Sequence, residues 1–219
     1  MTHTSAEAKE QRLLSLPHRE RFAFPAEVVP VFYRRAAVLI PFWREGDDLF
    51  VVLTERARKL RSHGGMVSFP GGVLEADETW NVAAVREAHE EIGLDPGEVE
   101  VLGQLDDAWS SAKHHVVPVV AWLKGRPTLV ANPDEVARIM IVGVAEVLSP
   151  EARSEETVYL GTTPCINTTV EVSEGRVFGL TADLLLEAVD WATGESPGRG
   201  RVRLRELEAK NALRAAGEA

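Results

Sequence analysis

An α/β fold is predicted for this chain because strand-like runs and helix-like segments both recur along it. The strand-like runs are short and rich in β-branched and apolar residues: Ala36 to Trp43, Leu49 to Thr54, Glu98 to Leu105, Val116 to Leu123 and Val136 to Val144. The clearest amphipathic helix runs from Gly179 to Thr193, with Leu180, Leu184, Leu185, Ala188 and Trp191 at helical spacing. At 219 residues with 45% hydrophobic content, the chain can bury a full core as one domain with appendages.

Taken in order, residues 1–30 read as a polar N-terminal arm, with a short helix over Ala6 to Leu14 and a break at Leu16-Pro17. Residues 31–195 form the main domain. Its first two strands make a hairpin, since Glu45-Gly46-Asp47-Asp48 has turn chemistry. Residues 196–219 are a linker followed by a charged helix, Val202 to Ala216, which either packs on the domain or mediates a homodimer. A single cysteine, Cys165, excludes an internal disulfide framework and suits the cytoplasm. No secretory signal is expected, because residues 1–24 lack an apolar core segment, and the longest apolar runs are too short to span a bilayer. A net charge of −10 argues against a nucleic-acid polymer as partner, because such binding rests on phosphate neutralisation by Lys and Arg.

The densest chemistry lies between Gly72 and Leu94. Asp77 or Thr79 can cap a helix start, and Gly93 followed by Pro96 supplies a left-handed stop. At about 100° per residue, Val82, Val85, Ala88 and Ile92 share one side, and Glu87, Glu90 and Glu91 fall on the other. One face is expected to pack and the opposite face to be acidic. Three neighbouring carboxylates repel one another, and a divalent cation reverses that sign. An all-oxygen set favours Mg²⁺ or Mn²⁺ over zinc, with His89 turned away from the acidic side. Read by themselves, these residues leave a solvated acidic helix open.

Gly72, five residues, Glu78, seven residues, Arg86-Glu87, two residues, Glu90-Glu91, one residue, Gly93 and Leu94 match the Nudix box throughout, with Ala88 smaller than the usual large aliphatic residue. Chance recurrence of seven fixed positions is on the order of 10⁻⁸ per starting position. The chain therefore resembles the Nudix hydrolases. That resemblance, not periodicity, implies an α/β/α sandwich around a mixed β-sheet and metal-dependent hydrolysis of a nucleoside diphosphate derivative. It makes Glu87, Glu90 and Glu91 the candidate metal ligands, with Glu90 alternatively polarising the water. Arg86 is expected to point away from the metal side and pair with Glu78.

Just upstream, Arg56, Arg58, Lys59 and Arg61 precede two glycine pairs, where backbone can approach phosphate closely. Leu53, Thr54, Arg56, Arg61, Gly65, Phe69, Pro70, Gly71 and Gly72 are spaced as in the coenzyme A pyrophosphatase branch of the family, which this stretch resembles. The departures are Val52, Ala57 and Met66, and a stretch from Gly72 to Arg86 one residue shorter than is common in that branch. Phe178 to Ala182 also resembles that branch. The resemblance implies cleavage of coenzyme A or an acyl derivative to 3′,5′-ADP and 4′-phosphopantetheine. The alternatives are ADP-ribose, dinucleotides or oxidised nucleotides as substrates, or a non-catalytic nucleotide sensor or scaffold.

Candidate substrate-binding residues are accordingly Arg56, Arg58, Arg61, Gly65, Gly71, Gly72 and Trp109, with Gly71 and Gly72 also able to offer a carbonyl to the metal. Trp109 lies in an expected polar loop, Asp106 to His115, and reads either as an adenine-stacking ring or as a half-buried core residue. His114 and His115 read as a surface pair or as phosphate contacts. Glu135, ahead of the last predicted strand, is the candidate for a further ligand or catalytic base, against the alternative of a solvated turn acid.

Overall fold

The computed structural model describes residues 5–15, 20–60, 64–194 and 198–217. The Leu16-Pro17 break, Arg61 and part of the expected linker fall outside them.

β1 (Arg34–Glu45) and β2 (Asp48–Arg56) form the expected hairpin, with Glu45 opposite Asp48 and Gly46 at φ 62° in the turn. Short strands β3 (Val67–Ser68) and β4 (Gly71–Val73) follow, and then α2 (Trp80–Ile92), the second helix after α1 (Ala6–Leu14). β5 (Val99–Gln104), β6 (Ala108–Ser110), β7 (His114–Leu123) and β8 (Val136–Gly143) complete an eight-stranded sheet. β1 pairs parallel with β7, Arg34 opposite His114 through Phe42 opposite Trp122, and the other pairings are antiparallel. The sheet is therefore mixed.

Both faces of this sheet are covered, which explains why β1 reads as a continuous apolar run instead of an alternating one. Ala37, Leu39 and Trp43 face α2, where Ala83, Ala84, Ala88 and Ile92 pack on them. Ile40 and Phe42 face the opposite way, toward α4 (Leu180–Thr193) and its Leu184, Leu185 and Val189. The small alanines let α2 approach the sheet closely. The result is helix, sheet, helix, as expected.

Several expectations are corrected. Asp106 to His115 is not simply a polar loop: it contains β6, and Asp106 and Asp107 are buried. After α3 (Val144–Leu148), residues 153–178 form a three-stranded antiparallel sheet, β9 (Arg153–Leu160), β10 (Thr163–Val172) and β11 (Gly175–Phe178), where no strands were expected. Their charged and threonine-rich sequence hides them, because β9 is exposed along most of its length. Within the N-terminal arm, the expected helix α1 lies against α4, its Leu13 fully buried in the main core. The C-terminal helix α5 (Gly200–Ala215) packs on β6, β9 and β10, with Leu207 buried beside Phe24 and Tyr33. Among the described residues no helix is long and apolar enough to cross a membrane.

Candidate active site

The acidic helix is set by its ends. Thr79, not Asp77, is the N-cap, its Oγ1 accepting from the Val82 N–H at 3.3 Å, and Gly93 closes the helix at φ 66° with its N–H on the His89 carbonyl. The packed face is rotated from the one expected. Val82 is 54% exposed, whereas Glu91 is only 2% exposed and sits beside Ile92 on the sheet side. Neighbouring strand and loop segments surround Glu91, so burial here follows from what packs against the helix, which periodicity does not encode.

β4 lies alongside α2 and explains its glycine pair. A Cβ on Gly71 would strike the Ala37 carbonyl and the Val38 backbone, and one on Gly72 would strike the Glu87 carboxylate. With no side chain in the way, the Gly71 N–H donates to Glu91 Oε2 at 3.1 Å. The other oxygen of Glu91 faces Arg56 Nη1 at 3.5 Å. Arg56 is tied down through its backbone, its N–H donating to the Met66 carbonyl and its carbonyl accepting from Gly65, both at 2.9 Å.

The backbone of Glu135, 44 residues beyond Glu91, is held beside the Asn132 turn that caps α2, its N–H donating to the Asn132 carbonyl at 3.1 Å. The last carbonyls of α2 have no partner within the helix. Those of Glu91 and Ile92 accept from the N–H groups of Asn132, at 2.8 Å, and Val130, at 2.9 Å, and the Glu135 carbonyl accepts from Ala57 N–H at 2.8 Å. The Glu135 charge is the smallest of the causes that raise the Glu87 and Glu91 carboxyls. Burial is the main cause that pushes both carboxyls up, Glu91 to about 7; the charges of Glu90 and Glu135 add to it at Glu87, and those of Glu87 and Glu135 at Glu91.

Arg86 pairs with Glu78 as expected, through Nε at 2.8 Å and Nη2 at 3.0 Å, and it also donates to the Val73 carbonyl at 3.2 Å. This bidentate bond holds the Glu78 carboxyl well down, to about 2. Arg86 is not turned away from the acidic side, however. Its Nη1 reaches Glu87 Oε1 at 3.0 Å and Glu90 Oε2 at 3.1 Å, because a long side chain sweeps a wider arc than its Cα position on a wheel suggests. Glu90 itself is exposed.

Other candidates are dispersed. Arg58 and Gly65 are exposed on the basic loop, and Lys59 is held by Asp134 at 2.6 Å. Trp109 packs in the cluster under α5, its Nε1 donating to the Arg203 carbonyl at 3.1 Å, so the ring serves that junction. His115 is no surface histidine: Nε2 lies 2.6 Å from Asp107 Oδ2, and the ring stacks on Phe24 and meets the edge of Trp80. His114 lies 3.0 Å from Arg34. Sequence reading missed the Gly71 bond to Glu91, for which Phe-Pro-Gly-Gly ahead of the acidic helix was the available signal. It also missed the role of Asn132, which carries none.

The donor set suits a hard divalent cation. It is all oxygen, and the buried Glu91 carboxylate lies within the field of the Glu87 and Glu135 charges, a repulsion that a cation would relieve. Among the described residues, no three His, Cys, Asp or Glu side chains converge tightly enough to form a metal shell as they stand, with Arg86 occupying oxygens of Glu87 and Glu90.

A mixed sheet between helices, carrying buried carboxylates against a glycine strand, places the chain among α/β sandwich proteins with an acidic site. More specifically, it belongs to the Nudix family: the NUDIX domain model matches residues 33–160, more than half of the chain. Among curated proteins it is 38% identical over 173 residues to "Nudix hydrolase 15, mitochondrial" of Arabidopsis thaliana, covering 75% of this chain and 60% of that protein. It is 43% identical over 117 residues to the "Uncharacterized Nudix hydrolase NudL" of Photorhabdus laumondii, covering 53% and 62% respectively. The chain thus spans about three fifths of the length of these relatives. A crystal structure of a MutT/nudix family protein from Enterococcus faecalis aligns over 100% of this chain and 88% of its own, with TM-score 0.50 and 15% identity, a likeness of fold alone.

Proposed function

We propose that the protein hydrolyses the diphosphate bond of a nucleoside diphosphate derivative, with coenzyme A or a short acyl-coenzyme A as the substrate. The observation that carries the hydrolytic reading is the complete Nudix box, with buried Glu91 bonded to the Gly71 N–H and the Glu87 carboxylate lying against Gly72. Nudix hydrolases generally use divalent metal ions. Here Glu87, Glu90 and Glu91, with Glu135 as a further ligand or base, would hold Mg²⁺ or Mn²⁺, which supplies charge neutralisation on phosphate oxygens and a more acidic water.

The chain's own residues have distinct tasks in this reading. Arg86 holds Glu78 and the β4 strand against the helix, so that the carboxylates stay in position. Arg56 balances part of the charge on Glu91. The attacking water gives its proton to a carboxylate as its oxygen bonds to phosphorus, and the bridging phosphoanhydride oxygen leaves with one phosphate. Arg58 and Arg61 on the basic loop would contact the phosphates.

Support for coenzyme A comes from the spacing between Leu53 and Gly72, and from Arg56 of that motif lying against the acidic cluster. Coenzyme A carries a 3′-phosphate that ADP-ribose lacks, and surplus Arg can discriminate on it. The test is a panel of diphosphate compounds with and without Mg²⁺, product identified by mass. Coenzyme A should give 3′,5′-ADP and 4′-phosphopantetheine, dephospho-coenzyme A should be cleaved less efficiently, and Arg61→Ala should narrow that gap. Much faster hydrolysis of ADP-ribose or a dinucleotide would overturn the substrate assignment alone. No metal-dependent release from any compound would overturn the enzyme and leave a nucleotide sensor or scaffold.

A further inference from the structure

On elements other than the acidic helix, three cations gather where the segment before β1, the β6–β7 turn and α5 meet. The Arg214 guanidinium and the Lys113 ammonium lie over the ring of Phe32, 4.0 and 5.9 Å from its centroid, and Lys210 lies over Trp109 at 4.6 Å. The three are mutual neighbours: burial first, then the charges of Arg214 and Lys113, push the Lys210 ammonium below its ordinary value. Among the described residues no carboxylate comes within ion-pair distance of any of them, in a chain whose net charge is −10. Glu206, on the same helix, is engaged with Cys165 and the Ile166 backbone.

Like charges crowded in this way repel, and the ring faces offset only part of the cost. The rings also restrain the long cationic stems, so less side-chain freedom is lost when a counter-ion arrives. Two ammonium groups and a planar guanidinium fork match an anion carrying several negative oxygens better than a lone carboxylate.

We propose that Lys113, Lys210 and Arg214 form a binding site for a multiply charged phosphate ligand, separate from the acidic site on α2. Val31, fully exposed, and Phe32, 44% exposed, border the patch. The phosphate oxygens could thus belong to a soluble compound or to headgroups at an anionic lipid surface, and the two sources are separable by experiment.

Inorganic tripolyphosphate titrated calorimetrically into the full chain in metal-free buffer should bind at one site. Lys210→Gln/Arg214→Gln should weaken it at least tenfold, and Lys113→Gln, outside α5, should weaken it with the melting temperature unchanged. Arg58→Gln, on the basic loop, should leave it intact. In parallel, flotation with phosphatidylcholine vesicles, with and without phosphatidylglycerol, assigns the source. Recruitment by the anionic vesicles alone, lost in the same variants, points to a headgroup. Tripolyphosphate binding without recruitment points to a soluble compound. No binding of either probe, binding undiminished in Lys113→Gln and the double variant, or loss on Arg58→Gln alone would overturn the proposal.

Discussion

Glu91 is bonded to Gly71 across 20 residues of sequence, its Oε2 accepting the glycine N–H at 3.1 Å. This bond couples the acidic helix to the strand that the family's glycine pair creates. It also keeps one oxygen of a nearly buried carboxylate in place, while burial still holds that carboxyl at about 7.

Glu87→Gln and Glu91→Gln should each lower turnover by about two orders of magnitude or more, since each removes charge from the metal-binding set at nearly constant volume. The linkage for Glu91 runs with its raised value. The stability of the neutral form is present below about 4.5 and lost as pH climbs through about 7. Glu91→Gln should therefore be more stable than wild type above pH 7 in metal-free buffer. Thermal melts across pH, with kinetics at saturating Mg²⁺, check both. Turnover like wild type in both variants would remove them from the ligand set.

Arg86→Ala should cost stability as well as activity, because Glu78, Glu87, Glu90 and the Val73 carbonyl all lose a donor. A loss of about 2 kcal/mol in chemical denaturation is expected for a side chain that is mostly, not fully, buried. An unchanged midpoint with abolished activity would move Arg86 from support of the site to direct contact with substrate.

Glu78 gives the opposite pH signature to Glu91. Its carboxyl is depressed from 4.5 to about 2 by Arg86, so its contribution is full above about pH 4.5 and lost as pH falls toward 2. Relative to Glu78→Gln, the wild type should lose about 2 kcal/mol over that window. Parallel acid-unfolding curves for the two proteins would refute the Arg86–Glu78 pairing as a stabilising contact.

The two glycines should fail differently. In Gly71→Ala the new methyl meets strand backbone, which cannot move aside, and overpacking of this kind costs about 1–3 kcal/mol. In Gly72→Ala it meets the Glu87 carboxylate, the far end of a flexible side chain, so activity should fall more than stability. Equal melting temperatures for Gly71→Ala and wild type would contradict the close approach of β4 to β1.

Arg203 pins α5 to the domain. Only 4% exposed, it contacts Asp183 and the fully buried Glu187, both at 2.7 Å, and the Asp106 carbonyl at 3.2 Å. Arg203→Ala takes a cationic partner from the buried Glu187 and from Asp183 and should cost about 3 kcal/mol, with faster hydrogen exchange in α5. Arg203→Ala with wild-type stability would show that the helix is held by its apolar contacts alone.

The sequence by itself determined the helix over 80–92 and its glycine stop, because capping and periodicity are local and the box spacing is a property of the chain. It also determined the β1–β2 hairpin, whose turn lies within a few residues. Only the tertiary structure decided which carboxylates are buried. Val82 and Glu91 exchange their expected exposures because β1, β4 and the 130–135 loop cover one side of α2, and nothing in the helix's own sequence specifies those neighbours. The approach of Glu135 likewise depends on Asn132 and Val130 finding the free carbonyls at the end of α2. That pairing spans some 40 residues and is fixed by backbone groups, which every residue carries and which therefore leave no mark in the sequence.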